Sequence, residues 1–194
     1  MRPVFRAALI LPWAIPNYIT ALIFKGLFHA QYGAVNAMLA AVVGGPVAID
    51  WFGSFALAFT ANLTTNTWLG FPFMMVVALG ALQSIPRDLE EAAMVDGAGW
   101  WFRFRHVVWP LLAPALLPAV LLGSVWTFNM FNVVYLVSGG EPDGSTEILI
   151  SEAYRWAFSR ENRYGYAAAY AVLIFGVLFG WSRAANKIAG KRVL

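Results

Sequence analysis

Four mostly apolar stretches constrain this chain more than any other feature, because each approaches the length of a membrane-crossing helix. A bilayer core takes roughly 20 apolar helical residues, and the candidates are residues 5–28, a stretch within 55–82, residues 110–131 and residues 166–181. The composition agrees: 60% of the 194 residues are hydrophobic and 12% are charged, against about 25% charged in an ordinary soluble domain. A soluble chain of this size could not bury that much apolar surface beneath a polar shell. Disorder is excluded by the same numbers. A disulfide-framed domain is excluded by the absence of Cys, and a net charge of only +3 does not suggest a nucleic-acid groove.

The first stretch carries Pro12 and Pro16, which a membrane helix tolerates when neighbours satisfy the freed backbone groups. Lys25 lies near its end and can snorkel to the interface. The basic start, Arg2 and Arg6, resembles a signal peptide, but the apolar run is too long and lacks a cleavage pattern, so it reads as a true span. Residues 31–54 are mixed and Gly-rich, with 36–43 a short interfacial helix too short to span. The second stretch is polar in its first half (Thr60, Asn62, Thr64, Thr65, Asn66, Thr67) and apolar in its second. No repeat of solenoid length occurs.

With four spans, Arg2, Arg6, Arg87, Arg103, Arg105, Arg183, Lys187, Lys191 and Arg192 fall on one side. The other side has Arg155, Arg160 and Arg163, offset by Glu141, Asp143, Glu147, Glu152 and Glu161. The basic side is then cytoplasmic, with both termini inside. Trp100, Trp101, Trp109 and Trp181 belong to the inner aromatic belt, and Trp51 and Trp156 to the outer one.

The segment from Ile85 to Gly99 is the most informative. Pro86 suits a helix first turn. Asp88, Glu90 and Glu91 lie near the positive end of the helix dipole. Leu89, Ala93, Asp96 and Trp100 fall near one face. Ala92, Ala93, Gly97, Ala98 and Gly99 are small enough for another surface to approach, and Gly97 or Gly99 suits the helix C-terminus. Such a helix can be a plain interfacial connector or a plug for a groove in a partner protein.

Glu91-Ala92-Ala93, three residues, Gly97, nine residues, then Val107-x-Trp109-Pro110 resembles the EAA loop of importer-type ABC permeases. Val107 stands for the family's Ile and Trp109 for its Leu. The resemblance spans nearly the whole chain: Leu11-Pro12-Trp13-Ala14-Ile15-Pro16, Ile23-Phe24-Lys25-Gly26-Leu27-Phe28, Asn66-Thr67-Trp68-Leu69-Gly70-Phe71-Pro72 and Ser138-Gly139-Gly140-Glu141-Pro142 are similar to the MalF-type permeases of maltose uptake systems. Glu141 interrupts the family's Gly-Gly-Pro. The resemblance implies an all-α polytopic helical bundle with the ABC importer permease (MetI-like) fold. It would have about four spans and a cytoplasmic EAA coupling helix, in the bacterial cytoplasmic (inner) membrane. Residues 1–194 form one permease domain, and residues 86–110 its coupling loop.

The resemblance further implies half of a translocation pathway. A second, MalG-like permease supplies the other half, and a MalK-like ATPase dimer binds inside. An extracytoplasmic sugar-binding protein delivers maltose or maltodextrin. ATP and Mg belong to the ATPase, and no cofactor to this chain, which has no phosphate loop. Glu91, Ala92, Ala93, Asp96, Gly97 and Pro110 are the expected ATPase-coupling positions. Trp13, Asn17, Asn66, Leu69, Gly70, Phe73, Trp126 and Asn129 are the expected sugar positions, with Thr127 and Phe128 adjacent. Aromatic rings stack on the apolar faces of sugars, and amides both donate to and accept from hydroxyls. Asn66, Gly70 and Phe73 lie at i, i+4, i+7, and ordinary helix packing is the alternative for them.

Residues 147–163 read as amphipathic, either a solvated interfacial helix or a docking surface for the binding protein. His29 and His106 fall on opposite sides, so no His-based metal site is expected. Glu90-Glu91 with His106 suggests an intramembrane enzyme only remotely, since a prenyl-type protease would need Arg where Val95 stands and a charged interfacial loop tunes a carboxylate little. Two alternatives to a maltose permease remain. One is a permease for another sugar, such as trehalose or glycerol phosphate. The other is a truncated, transport-incompetent fragment, because the family's core has six spans and this chain is expected to begin two of them late.

Overall fold

A computed structural model describes residues 2–160 and 162–193. Glu161, counted above among the outer acids, lies outside the described residues, as do the side chains of Arg2, Arg6, Lys191 and Arg192. Every regular element among the described residues is helical. In chain order they are α1 (Arg2–Ile10), a 3₁₀ turn (Leu11–Ala14), α2 (Asn17–Leu27), α3 (Ala34–Val43), α4 (Phe55–Gln83), α5 (Arg87–Val95) and α6 (Trp100–Phe128). Next come α7 (Phe131–Val133), running into a π turn (Val134–Ser138), and α8 (Leu149–Tyr154), running into another (Arg155–Ser159). The last is α9 (Tyr164–Val193).

Helices α4, α6 and α9 are long and apolar enough to cross a membrane. The first stretch is not one straight helix. Ala7–Ala14 and Asn17–Leu27 meet at 98°, so four spans are reached only if this bent pair counts as one. The cause is Pro16, which has no N–H and pushes the residue before it out of helical conformation; Ile15 sits at φ −97°, ψ 130°. The third span also differs. It begins at Trp100, ten residues earlier than 110, and ends at Phe128, with Phe131 starting the next element. Aromatic and Arg residues at 100–105 disguise it as a loop. The fourth is longer at both ends than 166–181, as α9 covers Tyr164–Val193.

The chain divides into two compact units, residues 1–72 with 127–176 and residues 73–126 with 177–194. The core of the first contains Ala21, Phe28, Ala61, Leu69, Val133 and Val137, flanked by Phe24, Trp51 and Phe52. Ala21 and Ala61 are fully buried in it, small residues of the kind that membrane bundles use at their packed faces. The ring of Phe28 lies 4.9 Å from that of Trp51. Three threonines in the polar half of α4 find partners within the helix: Thr60, Thr64 and Thr65 donate to the carbonyls of Ala56, Thr60 and Ala61. A hydroxyl can thus lie in an apolar helix without an orphan proton.

The short helix expected at 36–43 is α3. Its Asn36 is buried and its amide donates to the carbonyls of Ala30 and Ile49, both at 2.9 Å, while the Trp51 indole donates to Asn36 Oδ1 at 2.9 Å. The two connecting segments that flank α3 are thus tied at one side chain. In the second unit Val108, Leu112 and Ala119 of α6 are buried, Phe73 and Trp126 pack with ring centres 5.2 Å apart, and the Trp181 indole donates to Ser124 Oγ at 2.7 Å.

Candidate functional site

The coupling segment lies wholly in the second unit. Pro86 sits at the N-cap of α5, one place before the helix, at φ −60°, ψ 129°. Asp88 and Glu90 occupy the first turn, where the helix dipole favours negative charge. The C-terminus closes at Gly97, which has φ +77°. Its N–H bonds to Met94 O at 3.0 Å, and the N–H of Ala98 reaches back to Ala93 O at 2.9 Å. This pair of bonds is the Schellman closure, whose left-handed residue is normally glycine. Thus Gly97, not Gly99, ends the helix; Gly99 is the N-cap of the next one.

No residue of α5 is buried. Val95 is 88% exposed, and Leu89 and Met94 are also exposed large apolar groups. Glu91 and Asp96 have no ion-pair partner among the described residues. Beside the helix is an open recess of about 390 Å³, lined by Leu82, Ile85 and Met94 and by Gln83, Arg87, Glu90 and Glu91. Two expectations need correction. Trp100 does not continue the face of Leu89, Ala93 and Asp96, because α5 stops at Val95 and Trp100 opens α6. Residues 100–110 are helical, so the loop proper shrinks to 96–99. Pro110 follows a π turn at Phe104–Val108. A proline ring crowds the carbonyl four residues back, here His106, and just before it the turn is widened, the N–H of Trp109 bonding to Phe104 O.

The expected sugar positions divide between the units. In the first, Trp13 lies exposed on the 3₁₀ turn. Asn17 opens α2, just past the break, and its Oδ1 accepts from Asn132 Nδ2 at 3.0 Å. Asn66 Nδ2 reaches Thr127 Oγ1 at 3.4 Å, while its Oδ1 is buried and lacks a partner. Leu69 is 7% exposed and belongs to the core. Gly70 is open, with no neighbour within 4 Å of where a Cβ would stand. Asn129 lies in the turn after α6, its carbonyl accepting from the N–H of Phe131 at 2.8 Å. In the second unit Phe73 and Trp126 form the aromatic pair already described. Asn132 is not among the residues expected from the sequence, where its one signal is an amide three residues after Asn129; the chain leaves helical conformation between the two at Met130.

Residues 147–163 do not form one solvated amphipathic helix. Ser151 is fully buried and α8 is only six residues long. Four of its charges pair with one another. Arg155 Nη2 meets Glu147 Oε1 at 2.5 Å and donates to Gly139 O at 2.5 Å. Arg160 holds Glu152 through two bonds of 2.8 and 3.2 Å. A recess of about 290 Å³ lies between this helix and the Gly139–Gly144 loop.

Comparison with known proteins fits this architecture. The profile of the family described as "Binding-protein-dependent transport system inner membrane component" matches residues 1–187. The maltose/maltodextrin transport system permease protein MalF of Shigella flexneri is 41% identical over 184 residues, covering 90% of this chain and 35% of that protein. The MalF of Yersinia pestis is 40% identical over 200 residues, covering 98% and 37%. The chain thus spans about a third of the length of these relatives. A bacterial ABC transporter involved in the import of the acidic polysaccharide alginate superposes with a TM-score of 0.82 at 21% identity, over 98% of this chain and 66% of that one. The alginate transporter in complex with an alginate pentasaccharide-bound periplasmic protein gives 0.84 at 22%, over 97% and 65%. These two likenesses establish the fold, an ABC importer permease fold built of helices. With its family's profile matched over residues 1–187, the chain belongs to the inner membrane components of binding-protein-dependent transport systems.

Proposed function

We propose that this chain forms part of the pore of an ATP-driven importer of maltose or maltodextrins. The observation that carries the reading is the 41% identity to MalF over 90% of the chain, joined to an exposed α5 closed at Gly97. The likeness to alginate transporters, at 21% and 22% identity, bears on fold and not on cargo. Such a permease works as a transporter and not as an enzyme; ATP and Mg are held by a MalK-like ATPase dimer. A second, MalG-like permease completes the pathway and an extracytoplasmic binding protein delivers the sugar. The α5 side faces the cytoplasm, as do both termini.

In this reading α5 docks in a cleft of the ATPase. Glu91 and Asp96 offer unpaired carboxylates to a basic partner, and Leu89, Met94 and Val95 offer apolar area. Ala92, Ala93 and the Gly97 turn keep the contact close, while Pro110 fixes the start of the following span. Movement of the ATPase is transmitted through the short 96–99 connection to α6. For the sugar, the first unit offers the amides of Asn17, Asn66 and Asn129, the ring face of Trp13 and room for approach at Gly70, with Leu69 packed in its core; the second unit offers, by itself, the ring faces of Phe73 and Trp126. The unpartnered Oδ1 of Asn66 is an acceptor that a sugar hydroxyl would satisfy.

Co-purification tests the reading. The chain is co-expressed with a MalG-like permease, a tagged MalK-like ATPase and a maltose-binding protein, then extracted in mild detergent. Retention on the tagged ATPase, with hydrolysis stimulated by maltose-loaded binding protein, is the expected result. Recovery of the chain without the ATPase would overturn it.

A further inference from the structure

Charge along the second unit is sorted. Helix α5 and its cap carry Asp88, Glu90, Glu91 and Asp96 against one Arg87, whereas the first turns of α6 carry Arg103, Arg105 and no acid. Neither Arg103 nor Arg105 has an ion-pair partner among the described residues, although α5 packs beside the π turn that contains Arg105. The same turns hold exposed aromatics, Trp100 at 69% and Trp101 at 62%. These are ordered against one another: Trp100 stacks on Phe104 at 6.1 Å and 12°, and Phe104 packs on Trp109 at 6.2 Å.

We infer that the start of α6 is a docking surface for anionic phospholipid, with Arg103 and Arg105 pairing with headgroup phosphate and Trp100 and Trp101 resting beside them in the headgroup layer. Three physical facts converge. The turn is continuous with a helix long and apolar enough to span, so the chain passes through the headgroup layer near this point. Tryptophan prefers that layer, because its ring is apolar and its N–H needs a partner. Unpaired arginines beside it complement phosphate, which guanidinium binds through two parallel bonds. The inference rests on the membrane placement proposed above and not on the ATPase contact.

The test uses quenching of tryptophan by brominated lipid. The full chain is reconstituted in bilayers containing brominated phosphatidylglycerol or brominated phosphatidylcholine, and the Trp100→Phe/Trp101→Phe variant is measured in parallel, so that the difference isolates these two rings. Phosphatidylglycerol is expected to outcompete phosphatidylcholine by about fivefold for each arginine, the effect of one basic side chain at an anionic surface. Arg103→Gln/Arg105→Gln should remove the preference, and Arg103→Lys/Arg105→Lys should keep most of it. An equal preference in the Gln variant would overturn the inference. So would rings that neither lipid quenches but that added ATPase shields, since the surface would then face protein. Failure of the chain to enter bilayers at all would instead sink the membrane placement.

Discussion

Asn62 donates from Nδ2 to Ser138 Oγ at 2.9 Å, a buried bond between residues 76 positions apart. It ties the polar half of α4 to the end of the α7 π turn. Ser138 Oγ also lies 3.0 Å from Thr146 Oγ1, accepts from the N–H of Gly140 at 3.3 Å, and approaches Val134 O at 3.1 Å. Thr146 Oγ1 in turn donates to Glu141 O at 2.8 Å. One hydroxyl therefore holds the Gly139-Gly140 turn against the bundle. Ser138→Ala strips several buried groups of a partner at once and should cost about 2–3 kcal/mol. Asn62→Ala should cost about half as much, because Asn62 Oδ1 is already buried without a partner and its removal ends that penalty. Thermal unfolding in mild detergent measures both, and equal losses would show that Asn62 anchors as much as Ser138.

The Asn36 tie makes a second asymmetric prediction. Asn36→Ala orphans two carbonyls and the Trp51 indole N–H together, for an expected loss of about 2–4 kcal/mol. Trp51→Phe leaves only Asn36 Oδ1 unpaired and keeps a ring against Phe28, so it should lose about 1–2 kcal/mol. The same unfolding experiment ranks them. The reverse order would mean that the Phe28 contact, and not the amide, holds the segment between α2 and α4.

Glu147 is 6% exposed at its side chain and pairs with Arg155. Arg155→Ala should destabilise by about 3–5 kcal/mol, because it leaves a buried carboxylate unpaired. Glu147→Gln should be milder, since an amide can still accept from the guanidinium. The double variant Glu147→Gln/Arg155→Ala should recover part of the Arg155→Ala loss. A strictly additive double variant would argue that the pair is not coupled.

Much of this architecture was legible in the sequence, and the misses have physical causes. Helix α5 was readable because its signals are local: Pro86 before it, acids in its first turn, Gly97 after it. The break at Pro16 was visible as a residue but not as an outcome. Proline inside a membrane helix either kinks or breaks it, and Pro72, Pro114 and Pro118 sit inside intact helices here. What decides is whether the preceding residue can stay helical, and Ile15 does not. The start of α6 was hidden because Trp100–Arg105 lacks the continuous apolar run by which spans are recognised. The pairs Asn62–Ser138 and Asn17–Asn132 join residues 76 and 115 positions apart, and no periodicity within one helix encodes such a partner.

The last prediction separates the two roles of Gly97, conformation and room. Its φ of +77° disfavours any residue with a Cβ, but beyond its two chain neighbours no atom of the protein lies within 4 Å of where that Cβ would be. Conformational strain costs about 1–2 kcal/mol for most residues in this region, and least for Asn, which visits it routinely. Gly97→Asn should therefore keep the α5 closure and retain the tagged ATPase. Gly97→Val should weaken retention through the backbone, since a β-branched residue resists positive φ. Gly97→Trp should abolish retention, combining strain with bulk at the contact. If Gly97→Asn fails as completely as Gly97→Trp, close approach by the partner matters more than the turn. If all three variants retain the ATPase equally, α5 is only a connector between α4 and α6, and the docking role assigned to Glu91, Ala92, Ala93, Asp96 and Gly97 is wrong.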